Sequence, residues 1–138
     1  MSNGPKNPIA LYKRKVVWYT RTVRETDEPV GGAAEKRTPH YSLDRAQEPI
    51  RAGQYIVTHT ALHHAAEDFP QCTDEKDAAA HVLALRRKHF YKSMTSFRDH
   101  RIRQDVYHPE IGGIPAYVKI QIREGLSEAT TIIAFEKR

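Results

Sequence analysis

The feature that most limits the folds open to this chain is a single change of hydrophobic period near His89. Before it, apolar residues recur at helical spacing; after it, they alternate at a period of two. The alternation is cleanest over residues 116–123, where Ala116, Val118, Ile120 and Ile122 fall on one side and Tyr117, Lys119, Gln121 and Arg123 on the other. Strands are predicted near Phe90 to Thr95, Ile102 to His108, Tyr117 to Arg123 and Thr130 to Lys137. Gly112 with Gly113 marks one turn between them and Glu124 with Gly125 another, which gives an antiparallel meander. Helices followed by a sheet predict an α+β domain whose helices pack on one face of that sheet.

The helical half carries its own punctuation. Ser42 or Asp44 can cap a helix running through Ile50, with Gly53 as its terminator and Pro49 expected to kink or shorten its last turn. Gln54 to Val57 reads as a short strand. Thr60 is the expected cap of a second helix whose Ala61, Leu62, Ala65, Ala66 and Phe69 share a face, ended by Pro70. Thr73 is expected to open the third. Asp74, Glu75 and Asp77 stand in its first turn and Arg86, Arg87 and Lys88 follow its last, matching the helix dipole at both ends. Ala78, Val82 and Leu85 form its buried stripe. The folded domain is expected to span 35–138. Residues 1–34 read as an N-terminal extension: the breaker-rich MSNGPKNP and TDEPVGG flank KRKVVWYTRTV, a mobile arm or else an added edge strand or basic RNA-gripping arm.

Composition narrows the function. The chain of 138 residues carries a net charge of +5 and a pI near 9.4, which favours a polyanionic partner. Between Arg86 and Arg123 nine Lys/Arg stand against three acids, a local excess of +6. These cations alternate with apolar and aromatic residues, so the expectation is a pleated cationic surface suited to a phosphate backbone. Cys72 is the only cysteine, which rules out an intrachain disulfide and a thiolate zinc cluster. No apolar run approaches the ~20 residues that span a bilayer, and the polar N-terminus lacks a signal-peptide core. A soluble, cytosolic protein is expected.

RNA can be cut without metal because its own 2′-hydroxyl can attack the adjacent phosphorus. A protein must then orient that hydroxyl, offset phosphoryl charge and help the 5′-oxygen leave. Lys92, His100, Arg101, Arg103, Gln104, His108, Tyr117 and Lys119 supply suitable groups, and Arg123 extends the cationic set. Two-metal nucleases need convergent carboxylates, which this stretch lacks, so no metal or other cofactor is expected. Each residue also has a plainer reading. Lys92 fits a solvated edge-strand lysine, and Tyr117 an aromatic on a sheet face. Gln104 alternates away from Arg101 and Arg103, so either a bulge re-aims it or it is a satisfied buried amide. His59, His63 and His64 include an i, i+4 pair that could ligate a metal. Arg103 and His108 match an R-x4-H ribonuclease spacing found on helices, but Pro109 and DVY argue for a strand there.

EKRTPH at 35–40, AGQ at 52–54, FYKSMT at 90–95, DH at 99–100, QDVY at 104–107 with Pro109, and YVKI at 117–120 resemble the MqsR family of toxins. The resemblance runs from Glu35 to the last residue. It implies a RelE-like α+β fold and a metal-independent mRNA endonuclease that acts on free RNA near GCU-type sequences. It places the family's proposed active-site lysine, glutamine and tyrosine on Lys92, Gln104 and Tyr117. A further family lysine is not matched, since Phe135 is followed by Glu136 and Lys137 falls on the other side of a strand. His108 stands where the family can have arginine, and Arg103 where it can have tryptophan. The implied partner is an MqsA-like antitoxin that binds zinc and carries a helix-turn-helix, through which alone operator DNA would be met. The rival expectation from another class is a non-catalytic module that binds RNA or buffers antitoxin.

Overall fold

A computed structural model describes residues 35–125 and 127–138; the arm and edge strand considered for residues 1–34 lie outside the described residues. In chain order the elements are β1 (Glu35–Lys36), α1 (Leu43–Arg51), β2 (Tyr55–Val57), α2 (His59–Asp68), α3 (Glu75–Leu83), β3 (Phe90–Thr95), β4 (Arg103–Tyr107), β5 (Glu110–Ile111), β6 (Ile114–Arg123) and β7 (Ala129–Lys137). A short 3-10 turn over Arg87–His89 leads into β3. The fold is α+β, with the sheet ordered β1-β3-β4-β6-β7-β2 and β5 paired to β6.

The predicted meander is β3-β4-β6-β7, each pair antiparallel. Two strands extend it beyond the expectation. β1 adds antiparallel to β3, and β2 adds parallel to β7, with Tyr55 opposite Thr130. Between β5 and β6 the chain reverses through Gly112 and Gly113, both at positive φ (59° and 81°). A two-residue hairpin loop of this hand needs positive φ at both positions. At Gly112 a Cβ would also lie 2.1 Å from the Gln71 amide.

The helix ends follow local chemistry, sometimes one or two residues from where the sequence placed them. Ser42 Oγ accepts from Arg45 N and starts α1. Pro49 does not shorten the helix, which continues to Arg51. Its missing donor falls in the last turn, and that end is closed by other bonds: Gly53 N to Ile50 O (3.0 Å) and Gln54 N to Pro49 O (2.7 Å). This double bond pattern, with Gly53 at φ 79°, is the usual left-handed helix stop. Thr58, not Thr60, caps α2, because its Oγ1 both accepts from Ala61 N (3.1 Å) and donates to Ile133 O (3.3 Å), fixing the helix to β7. Asp74, not Thr73, caps α3; Thr73 instead donates its N–H and hydroxyl to Asp77, holding that carboxyl below its ordinary range. At the far end of α3, the buried Gln47 amide donates to the carbonyls of Val82, Leu83 and Leu85 (3.1–3.2 Å). Val82 and Leu83 are among the last four carbonyls of the helix, which have no donor four residues on within it.

All three helices contribute to one core against the sheet. Val118, Ile120 and Ile122 of β6 and Ile132 and Phe135 of β7 pack with Ala61, Ala65 and Phe69 of α2 and with Ala78, Val82 and Leu85 around α3. Phe69 and Phe135 meet edge to face at 5.6 Å; each such buried ring contributes roughly 1.5–3 kcal/mol by removal from water. Beyond the short β2, α2 packs against β7, where Asp68 accepts from Lys137 N (2.8 Å). Among the described residues, no helix is long and apolar enough to cross a membrane.

Candidate functional site

The side of the sheet away from the core cluster is built differently. Its apolar part is four residues, Met94, Val106, Tyr117 and Ala134. The strand registers stack its side chains in rows. Lys92 lies opposite Val106, Val106 opposite Lys119, and Lys119 opposite Ala134. On one side of this row stand Tyr117 and Glu136, on the other Met94 and Gln104. Neighbouring rows on one face are about 7 Å apart along the strands. Lys92, Gln104 and Tyr117 therefore occupy three successive rows of the same face.

What brings Lys92 to this face is a bulge. The register of β3 against β4 slips between Phe90 and Lys92, so that Phe90 faces Tyr107 and Lys92 faces Val106, leaving Tyr91 as the extra residue. Without the slip, Phe90 and Lys92 would share a side; with it, Phe90 packs edge to face on Tyr107 (5.6 Å) at the core, and Lys92 turns outward. Gln104 itself lies in regular β4 and is 6% exposed, its amide donating to Gln121 Oε1 at 2.9 Å. Both readings of Gln104 are thus resolved in one place: the amide is satisfied, and the bulge sits on the neighbouring strand.

The Lys92 ammonium is ion-paired with Glu35 of β1. That strand is held against β3 by pairing of Glu35 with Met94 and Lys36 with Ser93. Asp105 secures the segment that follows: its buried carboxylate accepts from His40 N (3.0 and 3.1 Å) and Tyr41 N (2.9 Å). Beside Lys92, the Tyr91 ring stacks on His108 with centroids 4.0 Å apart and planes 17° from parallel. His108 in turn lies 5.8 Å from the Tyr117 ring. Burial, with Arg138 and Lys92 nearby, pushes His108 down to about 4, so its ring is neutral at pH 7. Arg37 adds a guanidinium 5.0 Å from the Tyr91 centroid.

The remaining candidates are scattered. His100 and Arg101 are exposed in the β3–β4 connection, where Arg101 pairs with Asp99 through Nε (3.0 Å). Arg123 is exposed at the end of β6. Two residues expected to hold an RNA backbone are placed otherwise. Arg103 lies on the helix-facing side and donates to Ser93 Oγ (3.1 Å), because five intervals of a strand put it opposite His108. Lys119 is on the right face but wholly buried, at 0% exposure. The histidines of α2 separate as well: His64 turns inward to Glu136 (3.1 Å), while His59 and His63 are exposed. Among the described residues, no three His, Cys, Asp or Glu converge as a metal set.

Glu35, Arg37, Asp105 and Tyr91 are the neighbours that sequence reasoning missed. Only the FYK run hinted at one of them, by placing an aromatic next to the lysine. Fold and far face together define an α+β protein whose second sheet face gathers lysine, histidine, tyrosine and amide groups, with Tyr117 and Gln104 each 6% exposed. Residues 38–137 match the family described as motility quorum-sensing regulator, toxin of MqsA. The mRNA interferase toxin MqsR of Escherichia coli (strain K12) is 40% identical over 91 residues, covering 64% of this chain and 87% of that protein. The chain belongs to the MqsR toxin family.

Proposed function

We propose that this chain cuts mRNA within the strand, without a metal ion, by turning the transcript's own 2′-hydroxyl on the neighbouring phosphorus. That it is a toxin endoribonuclease follows from its family; the mechanism, residues and sequence preference are our reading. The 2′-oxygen bonds to phosphorus as the bond to the 5′-oxygen breaks. The hydroxyl proton leaves to an acceptor, another proton reaches the departing oxygen, and the products end in a cyclic phosphate and a 5′-hydroxyl. Lys92 stabilises the charge gathering on the phosphoryl oxygens, exchanging Glu35 for the phosphate. Tyr117 orients the hydroxyl or assists proton transfer, and Gln104 positions base or phosphate. His100, Arg101 and Arg123 hold the backbone further out. Fixed donors of this kind typically account for factors of about 10²–10³ each in rate.

The observation that supports this most is that Lys92 and Tyr117 share one face, in adjacent rows, with the neutral ring of His108 beside them. The preferred sites are proposed to be GCU-like. The partner is proposed to be an MqsA-like antitoxin that binds zinc and reaches operator DNA through a helix-turn-helix, drawn to the basic toxin by charge. Purified protein with a defined mRNA in EDTA tests the chemistry. Cleavage is expected to persist, and to vanish when the nucleotide before the cut lacks its 2′-hydroxyl. Equal cutting of that deoxy-substituted strand would overturn the mechanism.

A further inference from the structure

The bulge in β3 does more than turn Lys92. It also leaves Tyr91 on the same face, so two consecutive side chains serve one side of the sheet. The fates of the neighbouring aromatics differ sharply. Phe90, Tyr107 and Phe135 pack into the core, whereas Tyr91 is 41% exposed. Its ring is nonetheless fixed, because His108 lies nearly parallel beneath it at 4.0 Å. Cations surround it, with the Arg37 guanidinium at 5.0 Å and the Lys92 ammonium at 5.6 Å from its centroid. Arg37 also donates to the Tyr91 carbonyl (3.4 Å) and is itself exposed.

We propose that Tyr91, backed by His108, is a stacking platform for one unpaired nucleobase flanking the phosphate that Lys92 contacts, with Arg37 bracketing that base. This rests on the reading of the far face as the RNA-cutting face. Every base has a π-face, and an aromatic ring set in a cationic groove is how single strands are gripped. A phosphate at Lys92 and a base on Tyr91 would be neighbours in one chain, since the two side chains are adjacent in sequence and on the same face. A ring held flat by a second ring presents its outer surface without the entropy loss of ordering a loose side chain. The neutral state of His108 keeps the lower layer from repelling Arg37 and Lys92. A purely structural cross-strand pair would need neither the exposure of Tyr91 nor the cations around it.

The test uses the full chain and a short RNA carrying 2-aminopurine at successive positions around the cut. The nucleotide before the cut is a 2′-deoxy residue, so binding is read without cleavage. One position should be quenched on binding. Tyr91→Phe should keep the quench, and Tyr91→Ala should lose it and weaken binding about 10- to 100-fold, as loss of one stacked base does. Tyr91→Leu, which keeps apolar bulk but no π-face, should behave like Tyr91→Ala even if the alanine variant folds poorly. On all-ribose RNA, the variants should also relax the modest preference that differences in stacking strength give the quenched position. Unchanged affinity and preference in Tyr91→Leu, or no quenched position at all, would overturn the platform. A quench by a wild-type protein that leaves all-ribose RNA uncut would support the platform while removing the cutting reading.

Discussion

Strand β6 can be compared with itself, one side against the other. Toward the helices it offers Ala116, Val118, Ile120 and Ile122, which fill volume among many neighbours. Away from them it offers Tyr117, Lys119 and Gln121, in a layer where polar groups are settled pair by pair: Gln104 with Gln121, Lys92 with Glu35, Glu136 with His64. The first side is redundant and unspecific, and a lost contact there is shared among neighbours as packing. On the second, removing one partner strands the other. The same sheet thus separates what keeps the chain folded from the side chains proposed to let it act.

The largest way to break that division is Phe135→Ala. It should cost about 3–5 kcal/mol in urea unfolding, because a fully buried ring leaves a cavity between β7 and α2, and activity should fall only as the folded fraction falls. Next come Lys92→Ala and Tyr117→Phe. Cleavage rates should drop by about 10²–10³ for the lysine and by roughly tenfold or more for the hydroxyl, with melting temperatures close to wild type. If either variant loses stability and not rate, the two sides are not separate in the sense drawn here. Glu35→Gln should act more gently, raising RNA affinity by less than about tenfold at low salt, as expected for an exposed charge. A fall in affinity would mean that Glu35 positions Lys92 instead of competing for it.

A further expected effect concerns pH. A histidine held at about 4 in the fold, against an ordinary 6.5, binds fewer protons than the unfolded chain between those values. Stability should therefore rise with pH across that window and be lost as pH falls from 6.5 toward 4. His108→Gln should flatten this part of the stability curve, measured by urea titration at several pH values. A curve of unchanged slope would assign the acid sensitivity to other groups.

Much of this was readable in the chain. β3 begins and ends where alternation put it, and the two faces of residues 116–123 are the two faces of β6. The stripe of Ala78, Val82 and Leu85 is buried. What escaped reading depends on register. β2 was legible as a short strand, but its parallel pairing with a strand far along the chain leaves no local signal. A bulge at Tyr91 needs the partner strand to be seen, yet it decides which face Lys92 serves. Arg103 looked like an RNA contact by charge, although the alternation that turns Gln104 away from it was already legible; it lies on the opposite side from Gln104 and His108. Lys119 looked equally suitable, yet it is wholly buried.

The parallel pairing of β2 with β7 also bears on how the chain is born. Thr58, at the end of β2, finds its acceptor at Ile133, 75 residues later. Contacts so distant in sequence slow folding, since a long loop must close before they form. On a translating ribosome, the helices would emerge well before β7, the strand against which α1 and α2 pack. A nascent chain of this toxin stays unfinished at its centre until β7 has been made, and the face proposed to meet RNA cannot be set in register any sooner.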